Sequence, residues 1–198
     1  MQFMYKDSDG IEYRLYPFSK DIFTSNKKHK IVYNVWTTDP EVTRYNSHGL
    51  FKKSDADIES WFKDIDSGEI ICWALYRVNG GVRVWLGVVS LQSINWVYRS
   101  CEIALYIGVT SYWGKGLAKF MVESACSHAF KKMNMNRVWS GTAARNIGMN
   151  KVFERTGFKR EGTFREGMFI DGAYCDINLY SLLKSDIDKM NFDERDAQ

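Results

Sequence analysis

Tyr112-Trp113-Gly114-Lys115-Gly116-Leu117-Ala118 lies between a run that reads as a strand and a run that reads as a helix. Upstream, Cys101-Glu102-Ile103-Ala104-Leu105-Tyr106-Ile107 has the β-branched, aromatic and aliphatic content of a half-buried strand. Downstream, Ala118, Val122, Ala125, Ala129 and Met133 recur at helical spacing. A glycine turn entering a helix presents unpaired N–H groups at the positive end of the helix dipole, where phosphate binds. The spacing fits neither the dinucleotide fingerprint nor a Walker loop. By itself the glycine pair is equally consistent with a plain tight turn.

Working outward, Ile11 to Tyr16 alternates as a first strand stopped by Pro17, and Lys20 to Tyr45 reads as one or two short helices broken at Asp39-Pro40. Ser54 caps a helix through Asp66, with Ile58, Trp61, Phe62 and Ile65 on one face and Ser67-Gly68 at its end. Ile70 to Val78 and Val82 to Leu91 form a hairpin about Asn79-Gly80-Gly81. After the glycine loop and its helix come a strand over Asn136 to Thr142 and a short helix from Asn146 to Gly157. A final hairpin joins Lys159–Ile170 to Ala173–Leu183 through Asp171-Gly172, and a charged tail expected to fray begins at Lys184. This order implies an α/β fold with a sheet of mixed direction, antiparallel early and with βαβ units later. One domain over residues 1–198 is expected, its core at about 11–183.

The 27 basic and 24 acidic residues are interspersed, so nucleic acid is not an expected partner. Lys27-Lys28-His29-Lys30 reads as a solvated face. Cys72, Cys101, Cys126 and Cys175 are widely spaced and read as buried, reduced thiols, and His29, His48 and His128 have no ligand spacing, so no metal is predicted. Acidic Asp7 and Asp9 and the lack of an apolar h-region argue against a signal peptide, and no apolar run reaches membrane-spanning length. A soluble, cytoplasmic monomer or homodimer, with no membrane partner, is the expectation.

Several motifs in order resemble one family. Trp113 to Ala118 is similar to the pyrophosphate loop of the GNAT acetyltransferases, Arg/Gln-x-x-Gly-x-Gly/Ala, with Gly116 and Ala118 at the small positions and Trp113 in place of Arg or Gln. The Rim-type branch, which includes ribosomal-protein N-terminal and spermidine acetyltransferases, often reads Tyr-Trp-Gly-Lys-Gly here. Asn146-Ile147-Gly148-Met149 through Thr156-Gly157-Phe158 resembles the family's Asn-led helix, and Glu161 to Arg165 with Phe169 to Asp176 resembles its closing hairpin. The resemblance runs from about Val84 to Leu183, and less specifically back to Ile11.

The resemblance implies a GNAT fold, flanked by helices, in which the strand at Cys101–Ile107 splays from the strand at Arg137–Thr142 so that acetyl-CoA enters the gap. It implies acetyl transfer from acetyl-CoA to a primary amine, without a covalent enzyme intermediate. The amides of Gly114, Lys115, Gly116, Leu117 and Ala118 would hold the pyrophosphate, beside Trp113. The strand edge leading to Ile107 would hold the pantetheine arm, an N–H between Ile107 and Val109 the developing oxyanion, and Asn146 would both cap its helix and reach the arm. Strand alternation puts Glu102 on one face with Ala104 and Tyr106, and Glu102 is the candidate base. A structural bridge from Glu102 to Arg99 or Arg83 stays open beside that role. Many family members place a tyrosine near the thioester sulfur where this chain has Phe153. Without that hydroxyl, either the thiolate leaves unassisted or another group supplies the proton; Tyr106 and Tyr174 are the candidates, each of which also reads as a core or pocket aromatic.

The acceptor pocket is expected from Trp36 to Phe51, with Arg44-Tyr45-Asn46-Ser47-His48-Gly49 as either a substrate loop or an ordinary surface loop. Glu41, Asp55, Asp57 and Glu59 are candidate carboxylates for a polyamine, although Asp57 and Glu59 equally suit a first helical turn. A protein N-terminus, a small amine and an aminosugar all stay open as acceptors. The alternative from another class is an inactive acyl-CoA-binding module, favoured only by Phe153.

Overall fold

The computed structural model describes residues 2–25, 27–46 and 54–187. Among these, eight strands form one sheet in the order β1-β2-β3-β4-β5-β6-β8-β7. The strands are β1 (Phe3–Lys6), β2 (Glu12–Pro17), β3 (Ile71–Asn79), β4 (Val82–Asn95), β5 (Ser100–Ile107), β6 (Arg137–Ala143), β7 (Lys159–Ile170) and β8 (Ala173–Leu183). The helices are α1 (Lys20–Ser25), α2 (Lys27–Thr38), α3 (Pro40–Thr43), α4 (Asp55–Asp66), α5 (Leu117–Lys131), α6 (Ile147–Arg155) and α7 (Lys184–Ile187). Every pairing is antiparallel except β5 with β6.

β3 shows why the sheet is central. Trp73 and Leu75 point to one face, Cys72, Ala74 and Tyr76 to the other, and all five are buried. A strand covered on both faces reads as a nearly continuous apolar run. On the first face the core joins these residues to Leu117, Phe120, Met121, Val122 and Ala125 of α5 and to Phe153 of α6. On the second, an aromatic cluster of Phe18, Phe23, Tyr33, Trp36, Phe62 and Trp85 seats α1, α2 and α4. The sheet is thus the middle of three layers, and its two ends carry the turns and loops.

The fold class and the order of elements match the expectation, with local corrections. β1 precedes the expected first strand: Asp7 accepts from the N–H groups of Asp9 and Ile11 and closes a tight turn that pairs Phe3–Lys6 with β2. The segment after Pro17 holds three helices rather than one or two, the third started by Asp39 as N-cap and Pro40 at its first position. β4 runs on to Asn95 through a bulge. Residues 184–187, expected to fray, form a helical turn tied by Lys159 to Asp186 at 2.6 Å, and residues 188–198 lie outside the described ones. Ser54 and Asp57 form a complete capping box at the start of α4. All four cysteines are free and buried.

Candidate functional site

The parallel ladder between β5 and β6 is three pairs long: Ser100 with Arg137, Cys101 with Val138, Glu102 with Trp139. Beyond Glu102 the strands part, while β5 stays paired with β4 as far as Ile107 and β6 with β8 as far as Ala143. The gap is therefore a wedge inside the sheet with ordered walls. The Gly108 N–H donates to the Leu86 carbonyl at 2.8 Å, which sets the phase of the β4–β5 ladder. Backbone groups alternate sides along a strand, so Leu105 and Ile107 direct theirs into the wedge. In agreement, the Ile107 carbonyl accepts a bond from across the gap side, the Trp113 indole N–H at 2.8 Å. Of the amides between Ile107 and Val109, that of Gly108 is committed to β4 and is not an oxyanion donor.

β5 leads into a 3-10 turn over Thr110–Tyr112 and then the glycine loop. Gly114 and Gly116 have φ of 76° and 77°, a left-handed conformation that side chains other than glycine resist. Gly116 is the N-cap of α5, and the first helical bond runs from the Phe120 N–H to the Gly116 carbonyl at 3.1 Å. The amides before Phe120 consequently have no partner within the helix and point out of its N-terminus. Leu117 is buried and anchors the helix start, Ala118 packs partly buried beside it, and Lys115 lies over the Tyr112 ring with Nζ 5.1 Å from its centroid. Trp113, in the place of the family's Arg or Gln, ties the loop back to the end of β5 while remaining 42% exposed. Val109 starts the 3-10 turn, its carbonyl accepting from Tyr112.

The far wall ends at Asn146, whose side chain accepts from the Met149 N–H at 3.1 Å and caps α6. One turn on, the buried Asn150 donates to the carbonyls of Ala143 and Asn146 at 3.0 and 2.7 Å, and accepts from Asn178 and the Tyr180 hydroxyl at 2.8 and 2.9 Å. It fixes α6 to the end of β6, a role sequence reading missed. The available signal was an asparagine, a weak helix former, on the inward face of a short helix. Phe153 is 1% exposed and stacks on Tyr180 with ring centroids 5.3 Å apart.

Glu102 stands where β5 and β6 part, half-buried on the α2 face of the sheet. Its carboxylate binds neither Arg99 nor Arg83. Oε2 accepts from Gln92 Nε2 at 3.2 Å and from the Ser93 hydroxyl at 3.1 Å. Tyr106, on the same face, is half-buried edge-on to Trp36 at 6.1 Å, and burial raises its hydroxyl well above the usual range. Tyr174 is 64% exposed, edge-on to Phe169 on the β7–β8 hairpin, and so is not a core residue.

On the acceptor side, Arg44 donates twice to Asp171 Oδ2, at 2.9 and 2.7 Å, and Tyr45 packs against Ala143, Ile170 and Cys175. The chain after α3 is thereby docked on the β7–β8 turn beside the end of β6. Ser47, His48, Gly49 and Phe51 lie outside the described residues. The carboxylates nominated for a polyamine have other partners or face solvent: Asp55 pairs with Lys30, Glu59 with Lys20, Asp57 caps α4, and Glu41 is exposed in α3. Among the described residues no cluster of His, Cys, Asp or Glu is able to hold a metal, and no helix is long and apolar enough to cross a membrane.

A wedge between two strands, opening onto a glycine loop at a helix N-terminus, is the arrangement that the resemblance to the GNAT family implies. The family model for the acetyltransferase (GNAT) domain matches residues 23–159. The chain belongs to the GNAT acetyltransferase family. Among GNAT relatives, a spermidine N(1)-acetyltransferase of Vibrio cholerae is 31% identical over 100 residues, 50% of this chain and 57% of that protein. The match thus spans little more than half of the relative's length. A structure of spermidine N-acetyltransferase from Vibrio cholerae, in complex with CoA and spermine, superposes with a TM-score of 0.73 at 21% identity, covering 88% of this chain and 96% of that one. RimL, a ribosomal L7/L12 alpha-N-protein acetyltransferase in complex with CoA, gives a TM-score of 0.72 at 15% identity, covering 86% and 93%. At those identities the two structures speak to the GNAT fold alone.

Proposed function

We propose that this chain is an acetyl-CoA-dependent N-acetyltransferase that acetylates a primary amine by direct attack. The observation that carries the reading is the wedge after Glu102, with the Leu105 and Ile107 backbone groups on its edge and the Gly114–Ala118 amides at its mouth. Acetyl-CoA supplies an activated acyl group as a thioester. The chain's part is to hold it: glycine-loop amides on the pyrophosphate, with Trp113 and Lys115 beside them, and the β5 edge at Leu105 and Ile107 along the pantetheine, with Val109 at the turn. Asn146 stands at the end of the opposite wall, while Phe153, 1% exposed, is packed in the core against Tyr180 and Phe158. The Ile107 N–H is the donor best placed for the developing oxyanion.

The amine nitrogen attacks the thioester carbonyl carbon, the C–S bond breaks, and the sulfur leaves with the electron pair. Glu102 takes the amine proton, directly or through a water, and solvent reprotonates the thiolate. Phe153 has no proton to give, and the low basicity of a thiolate makes unassisted departure adequate. The Vibrio cholerae relatives act on spermidine. For this chain the carboxylates of α4, already paired with lysines or used to cap the helix, favour a peptide N-terminus or a small amine over a polyamine.

CoA release across a panel of spermidine, an aminosugar and peptide N-termini tests the reading. Turnover with at least one amine is expected, and Glu102→Gln should lower kcat by about 10²–10⁴-fold with acetyl-CoA affinity retained. Binding of acetyl-CoA with no turnover on any amine would leave an acyl-CoA-binding module, the reading that the hydroxyl-free Phe153 favours.

A further inference from the structure

Opposite Glu102, β4 contains one residue too many. Gln92 pairs with Glu102 and Asn95 with Ser100, so Ser93 and Ile94 together face Cys101 alone. This is a β-bulge whose first residue takes left-handed backbone, a place that glycine fills without strain. Ser93 holds it instead, at φ 50°. Non-glycine residues in that region persist where something compensates for the strain, and they gather at functional sites. Here the compensation is visible. The bulge turns the Ser93 hydroxyl onto Glu102 Oε2 at 3.1 Å, and Gln92, directly across the ladder, donates to the same oxygen at 3.2 Å. Both donors act on Oε2, which restricts the carboxylate to one orientation and leaves Oε1 for another partner.

We infer that Ser93 is a positioning residue for Glu102, kept in a glycine-type backbone site because its hydroxyl fixes the carboxylate that receives the amine proton. The inference rests on the reading of Glu102 as base. Glycine relieves the left-handed strain but removes the bond to Glu102, so a serine kept only for stability would give a lowered midpoint when replaced by glycine, whereas a serine that serves the base would lose rate without losing stability. The two roles therefore predict different outcomes in a paired experiment. In Ser93→Gly the thermal midpoint should be unchanged or higher while kcat falls by about 3–30-fold, with KM for acetyl-CoA unmoved. In Ser93→Thr, which keeps the hydroxyl but puts a β-branched side chain at positive φ, the midpoint should fall while kcat stays near wild type.

The acceptor is whichever amine of the panel turns over fastest, and Ser93→Gly is also built on Glu102→Gln, where it should cost nothing further. Wild-type kcat in Ser93→Gly, or a lowered midpoint accompanying its loss of rate, overturns the role of Ser93. If Glu102→Gln is at the same time impaired, the reading of Glu102 survives that result. Full activity in Glu102→Gln, or no turnover with any amine, instead takes down the reading beneath.

Discussion

A methyl group added at Gly108 would lie 2.0 Å from Cδ2 of Trp36, and Trp85 backs that indole at 4.6 Å. The glycine is required by crowding, because its φ is not in the left-handed range. Gly108→Ala should therefore destabilise by about 1–3 kcal/mol as an overpacked site and raise KM for acetyl-CoA, since Gly108 follows the β5 edge directly; denaturant melts and initial rates measure both. Phe153→Tyr carries a different risk. The ring is sealed against Tyr180 and Phe158, so a new hydroxyl that finds no partner costs about 1–3 kcal/mol. If the thiolate leaves unassisted, the variant's kcat should stay within a few-fold of wild type, and a large gain would show that an acid was missing. Sequence reading found Phe153 because a motif aligned it. It had no means of finding the contact of Trp36 with Gly108, where two distant residues meet only after α2 has docked on the sheet.

Among the elements, the glycine loop with α5 was the most legible, because dihedral need, helix start and apolar stripe all fall in one short stretch. The hairpins about Gly80 and Gly172 were legible for the same reason, their turn residues flanked by strand patterns. β1 was passed over although Asp7-Ser8-Asp9-Gly10 is a turn signal, since a strand of four residues gives almost no alternation to count. The bulge at Ser93 was invisible for a physical reason: serine hides a position where glycine would have announced it. The loop itself separates backbone strain from cofactor binding. At Gly116 a Cβ meets only the Tyr5 hydroxyl, at 3.6 Å, so Gly116→Ala should cost roughly 1–2 kcal/mol of stability through its φ. Gly116→Glu carries the same strain and adds a negative charge where phosphates would bind, so calorimetry should show a far larger loss of acetyl-CoA affinity for Glu than for Ala.

Across the whole molecule, the β6-β8-β7 end is fastened by one carboxylate. Glu161 on β7 accepts from Ser181 of β8 at 2.6 Å and from Arg137 of β6, whose Nη1 lies 2.7 Å away. These bonds stabilise the charged form and lower the Glu161 carboxyl from 4.5 to about 2. A carboxylate depressed on folding contributes stability that is complete above its unfolded value and is lost as pH falls through its folded value. Glu161→Gln should accordingly destabilise at neutral pH by no more than about 1 kcal/mol, because the pair is partly solvated, and the difference from wild type should close between about pH 4.5 and 2. The wedge, by contrast, was not legible from periodicity at all. Patterns in β5 and β6 mark two strands without saying where their ladder stops, and only the family resemblance supplied that. The parting after Glu102 makes β5 a strand with two kinds of amide in strict alternation. In deuterium exchange on the ligand-free protein, Tyr106 and Gly108, bonded to β4, should exchange slowly, and Leu105 and Ile107 quickly. Adding acetyl-CoA should slow the second pair and leave the first unchanged, so that a single-residue alternation in exchange rate marks the path of the pantetheine along the chain.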